Sequence, residues 1–554
     1  MHRVYSSFCL LFLTICVNSC KTRFVHNPII EKQNKISTKQ FIDDNLKVWH
    51  HKDIIDDSIA GTSLDKAYDL ILKNKEGKEI IVAIIDMQID INHDDLKNSI
   101  WINKKEIFNN KIDDDKNGYI DDLNGWNFLG NENGKSAKFV NYEYTRILKK
   151  YTPIFNNSEY KTDLDSSLYV LYRKAKKKHA ERYVYAIEDT NFIKVEYKDK
   201  KDAEKTLSKY FKDKTYSIKD LDSLKQLHPK DSILQMHISW VDYYIKNDFT
   251  DDYFEDYKLK GVERLNKLLN VDYNDRVLIG DDSDDLSDTK YGNSIVNNDV
   301  GFFDHGTLMA GIIAANRNND MGTKGVSSNI KIMPICVASF GDEHDKDIAL
   351  AIRYAVDNGA KVINMSFGKE FSLYKNWVFD AFKYAEKNDV LIISSAGNSS
   401  YNLNIFNEVY PNDNVDNGDE VSDNFLMVGA SNYSANENLF VAISNYGNID
   451  VDVFAPGNDI FTTSSKKKKY KSVRGTSAAA AITSGIAALI YSYYPSLTAS
   501  QVKHIIMDSG VEYTFPVKLT KNDTIKTPFN QLSKSGKIVN AYNALIVADS
   551  ISKK

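Results

Sequence analysis

Uninterrupted apolar runs stand out from an otherwise mixed chain: Ile80-Ile81-Val82-Ala83-Ile84-Ile85, which ends at Asp86, and Val390-Leu391-Ile392-Ile393. Short runs of branched side chains predict strands buried on both faces, as in a parallel sheet covered by helices. Ile330-Lys331-Ile332-Met333-Pro334-Ile335-Cys336-Val337 reads as a further strand. Small residues mark closely packed helices, in Ile312-Ile313-Ala314-Ala315 and in the alanine-rich stretch 478–494, which Pro495 stops. Thr498-Ala499-Ser500-Gln501 then places a capping residue at a helix start.

The pattern changes over residues 136–274, which hold many Lys, Tyr, Asp and Leu and few Gly or Pro. Apolar residues recur at helical spacing over 164–187 and 253–269, predicting an inserted, mostly helical subdomain. It is either a lid or substrate-selecting cap, or a surface elaboration that adds contacts. Its basic run Arg173-Lys174-Ala175-Lys176-Lys177-Lys178 reads as a solvated helix face, and Lys466-Lys467-Lys468-Lys469 as a solvated loop. His50 and His51 are adjacent, and adjacent side chains point apart on regular elements, which argues against a metal pair.

Candidate chemistry lies where these elements begin and end. Gly475-Thr476-Ser477 puts a hydroxyl on a turn at a helix start, where backbone N–H groups favour developing negative charge. His305 opens the small-residue helix, Asp86 closes the first apolar run, and Ala396-Gly397-Asn398 follows the strand at 390. Together, in the order Asp, His, Asn, Ser, these segments resemble the subtilase family of subtilisin-like serine peptidases. Val362-Ile363-Asn364-Met365-Ser366-Phe367-Gly368 resembles that family's substrate-binding strand, and Ala455-Pro456-Gly457 the turn before its serine segment.

The resemblance implies a doubly wound α/β fold with a mostly parallel sheet, its subtilase domain split into 66–135 and 275–554 around the insertion. It further implies endopeptidase chemistry on peptide or protein substrates. Ser477 becomes the nucleophile, His305 its general base and Asp86 the group that orients the imidazole. Asn398 becomes an oxyanion donor, and Ser366, Phe367 and Gly368 the strand along which substrate lies. The chain departs from the family at Met87 and Gln88, where a small hydroxyl residue and Gly are usual, and at Leu308, Ala478 and Ala481. A Met87 side chain cannot hydrogen-bond Asp86. That keeps a second reading open, a catalytically impaired scaffold that binds peptides without cutting them.

Composition bounds the remainder. With 554 residues and 42% hydrophobic content the chain can build a large core, and a net charge of −5 points away from nucleic acid as a partner. Residues 1–20 read as a signal segment ending Val17-Asn18-Ser19-Cys20, which resembles a bacterial lipoprotein cleavage box. On that reading Cys20 carries lipid, residues 21–65 are a tether and arm, and the protein is membrane-anchored at the cell envelope. Of four cysteines only Cys336 then lies in the folded part, as a buried, inert thiol.

Asp113-Asp114-Asp115-Lys116-Asn117-Gly118-Tyr119-Ile120-Asp121-Asp122 places oxygen donors on alternate residues, with Gly at the sharp turn. That is the opening of a calcium loop, with Asp113, Asp115, Asn117, the Tyr119 carbonyl and Asp121 as ligands. Asn124 stands where such a loop ends in Glu, and Asp122 is the substitute. Its alternative is an acidic turn that binds nothing. Any Ca²⁺ held there is structural, because the chemistry above needs no metal.

Overall fold

Side chains of the strand Ile80–Asp86 alternate between two cores, which is why the run carries no polar interruption. Val82 and Ile84 pack with the helices His305–Ala314 and Thr476–Tyr493 on one face of the sheet. Ala83 and Ile85 pack with Asp345–Asp357 and Lys375–Lys387 on the other. The structure, a computed structural model, describes residues 29–31, 44–156, 166–213, 215–406, 408–414, 418–520 and 523–553. The signal segment and Cys20 lie outside them. Among the described residues no helix is long and apolar enough to cross a membrane.

The main sheet has ten strands, in the order Ile29–Ile30, Val511–Tyr513, Lys537–Ile538, Val453–Pro456, Phe425–Ser431, Leu391–Ser395, Val362–Met365, Ile80–Asp86, Ile330–Cys336, Trp126–Asn127. Only Val511–Tyr513 against Lys537–Ile538 is antiparallel among these pairings. The fold is therefore the expected doubly wound α/β arrangement. In register, Asp86 pairs with Cys336 and Ile85 with Met365, so Asp86 and Ser366 leave the sheet at the same carboxyl edge. Cys336 is buried and free, and burial raises its pKa, which makes the thiol inert. The segment read as a tether also contributes an edge strand, since Ile29–Ile30 pairs with Glu512 and Tyr513.

Between the two parts of this domain the chain forms helices Glu143–Asn156, Ser166–Leu207, Ile218–Leu227, Ser232–Lys246 and Asp251–Glu263. Ser166–Leu207 has 42 residues and is about 63 Å long at roughly 1.5 Å per residue. Both basic runs are largely solvent-exposed, as read, and some of their lysines also form ion pairs. Lys174 pairs with Glu408 and Lys178 with Glu370, docking the long helix on the α/β domain. Lys467 and Lys468 reach Asp252 and Asp248 of the insertion at 3.0 and 2.7 Å. These last pairs are exposed and add little stability individually.

His50 and His51 do not point apart. Val48 breaks the 3₁₀ segment Asp44–His51 (φ −123, ψ 33), and the two buried rings meet with centroids 4.3 Å apart. Burial pushes His51 down to about 4, against the opposing pull of Asp65. Burial, then Arg146 and Arg276, pushes His344 down to about 3. Each ring is held neutral in the fold, so the unfolded chain binds more protons as pH falls below the ordinary imidazole value of about 6.5. Stability is therefore full above that pH and is lost between about pH 6.5 and 3, on the order of 3 to 5 kcal/mol per histidine at about 1.4 kcal/mol per pKa unit. Thermal melts from pH 7 to 4 are expected to show a falling Tm; a flat Tm would contradict this account.

Candidate active site

Asp86 is buried at the end of its strand, and the backbone N–H of Met87 donates to its Oδ1 at 2.7 Å. Gln88 bonds elsewhere. Its Oε1 accepts from Asp299 N–H at 2.6 Å, and its Nε2 donates to Ser136 Oγ at 3.3 Å. It ties the strand end to the loop that leads into His305. Gly306 lets the His305 helix come close, because a Cβ there would lie 2.5 Å from the Met87 carbonyl oxygen.

His305 Nδ1 sits 2.8 and 2.9 Å from the two Asp86 oxygens. Burial opposes protonation of the ring, but the Asp86 carboxylate outweighs it and raises the His305 pKa above its ordinary value. An Nδ1–H held this way leaves Nε2 as the basic nitrogen. Asp304, just before the helix, accepts from Ser464 Oγ and Ser465 N–H and pairs with Lys471, which fixes the entry of the chain.

Ser477 begins the helix Thr476–Tyr493 after Gly475, whose φ of +140° favours glycine. Gly475 N–H donates to the Gly457 carbonyl at 2.8 Å, joining the Ala455-Pro456-Gly457 turn to the serine turn. Ser477 Oγ donates to the Ser366 carbonyl at 3.0 Å, and Ser366 Oγ returns a bond to the Ser477 carbonyl at 3.1 Å. Asn364 Nδ2 donates to Ser366 Oγ, and Ser484 Oγ to Asn364 Oδ1, both at 3.0 Å. The serine helix is therefore locked to the strand Val362–Met365. Its hydroxyl is bonded just past the end of that strand, at Ser366.

Asn398 Oδ1 accepts from Thr476 N–H at 2.9 Å and from Thr476 Oγ1 at 3.2 Å. That leaves its Nδ2 hydrogens as the donors available to a ligand. Ser477, Asn398 and the strand residues Ser366, Phe367 and Gly368 line one cavity of about 430 Å³. Its far wall comes from the insertion, through Lys178, Arg182, Tyr185 and Arg264. Local pattern carried one signal for this wall: 178, 182 and 185 share a helix face at i, i+4 and i+7.

In the acidic loop, Asp113 and Asp115 gather with Glu106, each offering a carboxylate oxygen within 4.8 Å of the others. Glu106 is buried; Oε1 accepts from the N–H groups of Asp114 and Asp115, while Oε2 has no partner. Burial and the neighbouring carboxylates raise its pKa. Such an all-oxygen donor set with an orphaned buried atom fits a hard divalent cation. Asp121 lies outside this cluster of three, and all the loop's expected side-chain ligands accept bonds within the loop, Asp113 from the N–H groups of Asn117 and Gly118. Asn117 Oδ1 accepts from Tyr119 N–H, and the Asp121 oxygens accept from Asn110 and Lys111 N–H. The Tyr119 ring packs against Trp126 and Tyr354.

Comparison with known proteins identifies the family. The subtilase family model matches residues 77–527. The chain is similar to subtilisin-like protease 1 of Plasmodium falciparum isolate 3D7, 32% identical over 246 residues, 42% of this chain and 35% of the relative. It is also similar to subtilisin DY of Bacillus licheniformis, 32% identical over 201 residues, 36% of this chain and 68% of the relative. Cell wall-associated protease of Bacillus subtilis strain 168 is 34% identical over 214 residues, 38% of this chain and 22% of the relative. The match spans about a third of the length of the Plasmodium protein. Among solved structures, a Pseudoalteromonas arctica protease aligns at 26% identity and TM-score 0.34, covering 44% of this chain and 70% of its own. With its family model matched from residue 77 to residue 527, the chain belongs to the subtilase family of serine peptidases.

Proposed function

We propose that the protein is a serine endopeptidase whose reaction runs through Ser477, His305 and Asp86. His305 Nε2 takes the proton of Ser477 as Oγ attacks a peptide carbonyl, then returns it to the leaving amine. Asp86 holds the ring in the required tautomer and stabilises its charged form. Asn398 Nδ2 and the Ser477 N–H receive the oxyanion, and water releases the acyl group from Ser477. The substrate strand lies along Ser366, Phe367 and Gly368. The observation that carries this is the pair of short contacts from His305 Nδ1 to both Asp86 oxygens.

A non-cleaving scaffold rests on Met87, and the close pairing of Asp86 with His305 weighs against it. The test is labelling with a fluorophosphonate. A folded protein that labels, with the label gone in Ser477→Ala, agrees with the proposal; a folded protein that never labels overturns it.

Two further parts of the proposal concern stability and place. Ca²⁺ binds at Glu106, Asp113 and Asp115, where the unpartnered Glu106 oxygen supports it. Calcium over EDTA is expected to raise Tm, by about 3 kcal/mol of stability at a hundred times Kd. The gain should vanish in Glu106→Gln, and a Tm indifferent to calcium would remove the ion. Export and lipid attachment at Cys20 rest on the sequence of the signal segment, and the mass of the mature N-terminal peptide tests them.

A further inference from the structure

The cavity beside Ser477 has two kinds of wall. One is the strand Ser366, Phe367, Gly368, Lys369 and Glu370; the other is the face of the long helix Ser166–Leu207 that carries Lys178, Arg182 and Tyr185. A substrate side chain entering the cavity next to the serine therefore meets groups that the insertion contributes. Their charges decide what fits.

Most of the ionised groups around the cavity are already matched. Lys369 is buried against Asp345 at 2.8 Å, and Arg264 is held by Asp189 at 2.8 Å. Asp342 is not ion-paired among the described residues: its carboxyl accepts the Glu143 N–H at 2.8 Å, Arg146 donates only to its backbone carbonyl, and burial raises its pKa. Glu370 is paired with Lys178 and accepts from Tyr401 at 3.5 Å. Arg182 is different. Among the described residues its one ion pair is a loose contact to Glu370 at 3.9 Å, and its side chain is 47% exposed. Two cations, Lys178 and Arg182, share the carboxylate Glu370, and Asp342, the other carboxyl group of the lining that has no ion pair among the described residues, is buried with its pKa raised, so the Arg182 guanidinium keeps donors to spare.

We infer that the helical insertion is a specificity element, and that Arg182 selects substrates with an Asp or Glu side chain on the amino-terminal side of the scissile bond. A guanidinium binds a carboxylate through two parallel N–H bonds, and a partly enclosed site makes that contact stronger than in water. A basic substrate side chain finds Glu370 already occupied by Lys178. At about 430 Å³ the cavity has room for an acidic side chain together with water. The inference rests on the peptidase reading for its kinetic test, but not for its binding test.

The experiment compares internally quenched peptides that differ only by Glu, Gln or Lys at the residue preceding the cleaved bond. The wild-type protein is expected to favour Glu over Gln by about tenfold or more in kcat/KM. Arg182→Gln should bring that ratio close to one, and Arg182→Glu should move the preference toward Lys. A merely structural role would lower all rates together and leave the ratio alone. The same peptides are titrated into Ser477→Ala with and without Arg182→Gln, and Kd is read by fluorescence anisotropy. Affinity for the Glu peptide that depends on Arg182 supports the inference even if no peptide is ever cleaved, a result that would count against the catalytic proposal only. An unchanged Glu-to-Gln ratio in Arg182→Gln, or a wild-type preference for Gln or Lys, overturns it.

Discussion

Ser477→Ala is expected to lower kcat by about 10⁶, His305→Ala by a similar factor, and the double variant by no more than either alone. The non-additivity follows from the roles. A hydroxyl without its base is a poor nucleophile, and a base without its hydroxyl has nothing to activate, so losing either removes the whole covalent route. A residual rate about 10³–10⁴ above water should persist, because Asn398 and the substrate strand are untouched. The fold should persist as well. Ser477→Ala deletes one hydrogen bond, to the Ser366 carbonyl, and keeps the bond that Ser366 Oγ makes to the Ser477 carbonyl. A net loss of about 1 kcal/mol follows from one such bond. Kinetics with one peptide, paired with thermal melts of all three variants, check both halves. A Ser477→Ala protein within tenfold of wild type would mean that another group attacks.

Much of this machinery was legible because each part sits where burial or a turn constrains the residue type. Ile80–Asp86 reads as a strand since both its faces are covered, and a polar residue on either face would cost stability. Gly475 reads as a turn because its φ suits no other residue well. What could not be read was set by partners far along the chain. Lys178 reads locally as part of a solvated face, yet it pairs with Glu370, 192 positions later, and the exposed Lys468 meets Asp248 across 220. No local pattern reports that the insertion folds back on the domain it interrupts. Glu106 was missed for a related reason: it precedes the alternating acidic loop, so the spacing rule for that loop never reaches it. At Met87 the family's hydroxyl residue suggests a side-chain bond to Asp86 that methionine cannot make, while the main-chain N–H that any residue but proline carries still donates to that carboxylate.

That last point has a kinetic consequence. Asp86→Asn is expected to lower kcat by about 10⁴, while Met87→Ser should change it by no more than a few-fold. Asparagine can present an N–H where the carboxylate presents only acceptors, and His305 then turns its proton toward Ser477, in the tautomer that cannot act as base. Met87→Ser leaves the backbone donor in place. The pH profile separates an orienting carboxylate from one needed only for folding. Asp86 raises the His305 pKa despite burial, so wild-type kcat/KM should fall on the acid side through a value above about 6.5, since the base must be neutral. Removing the carboxylate leaves burial opposed only by the weaker pull of Asp304 and Glu343, and lowers that pKa. The residual activity of Asp86→Asn should therefore extend to lower pH than the wild-type activity does. Were the acid limb of the variant to coincide with that of the wild type, Asp86 could not be the group that sets the charge on His305, and its two contacts to Nδ1 would be structural.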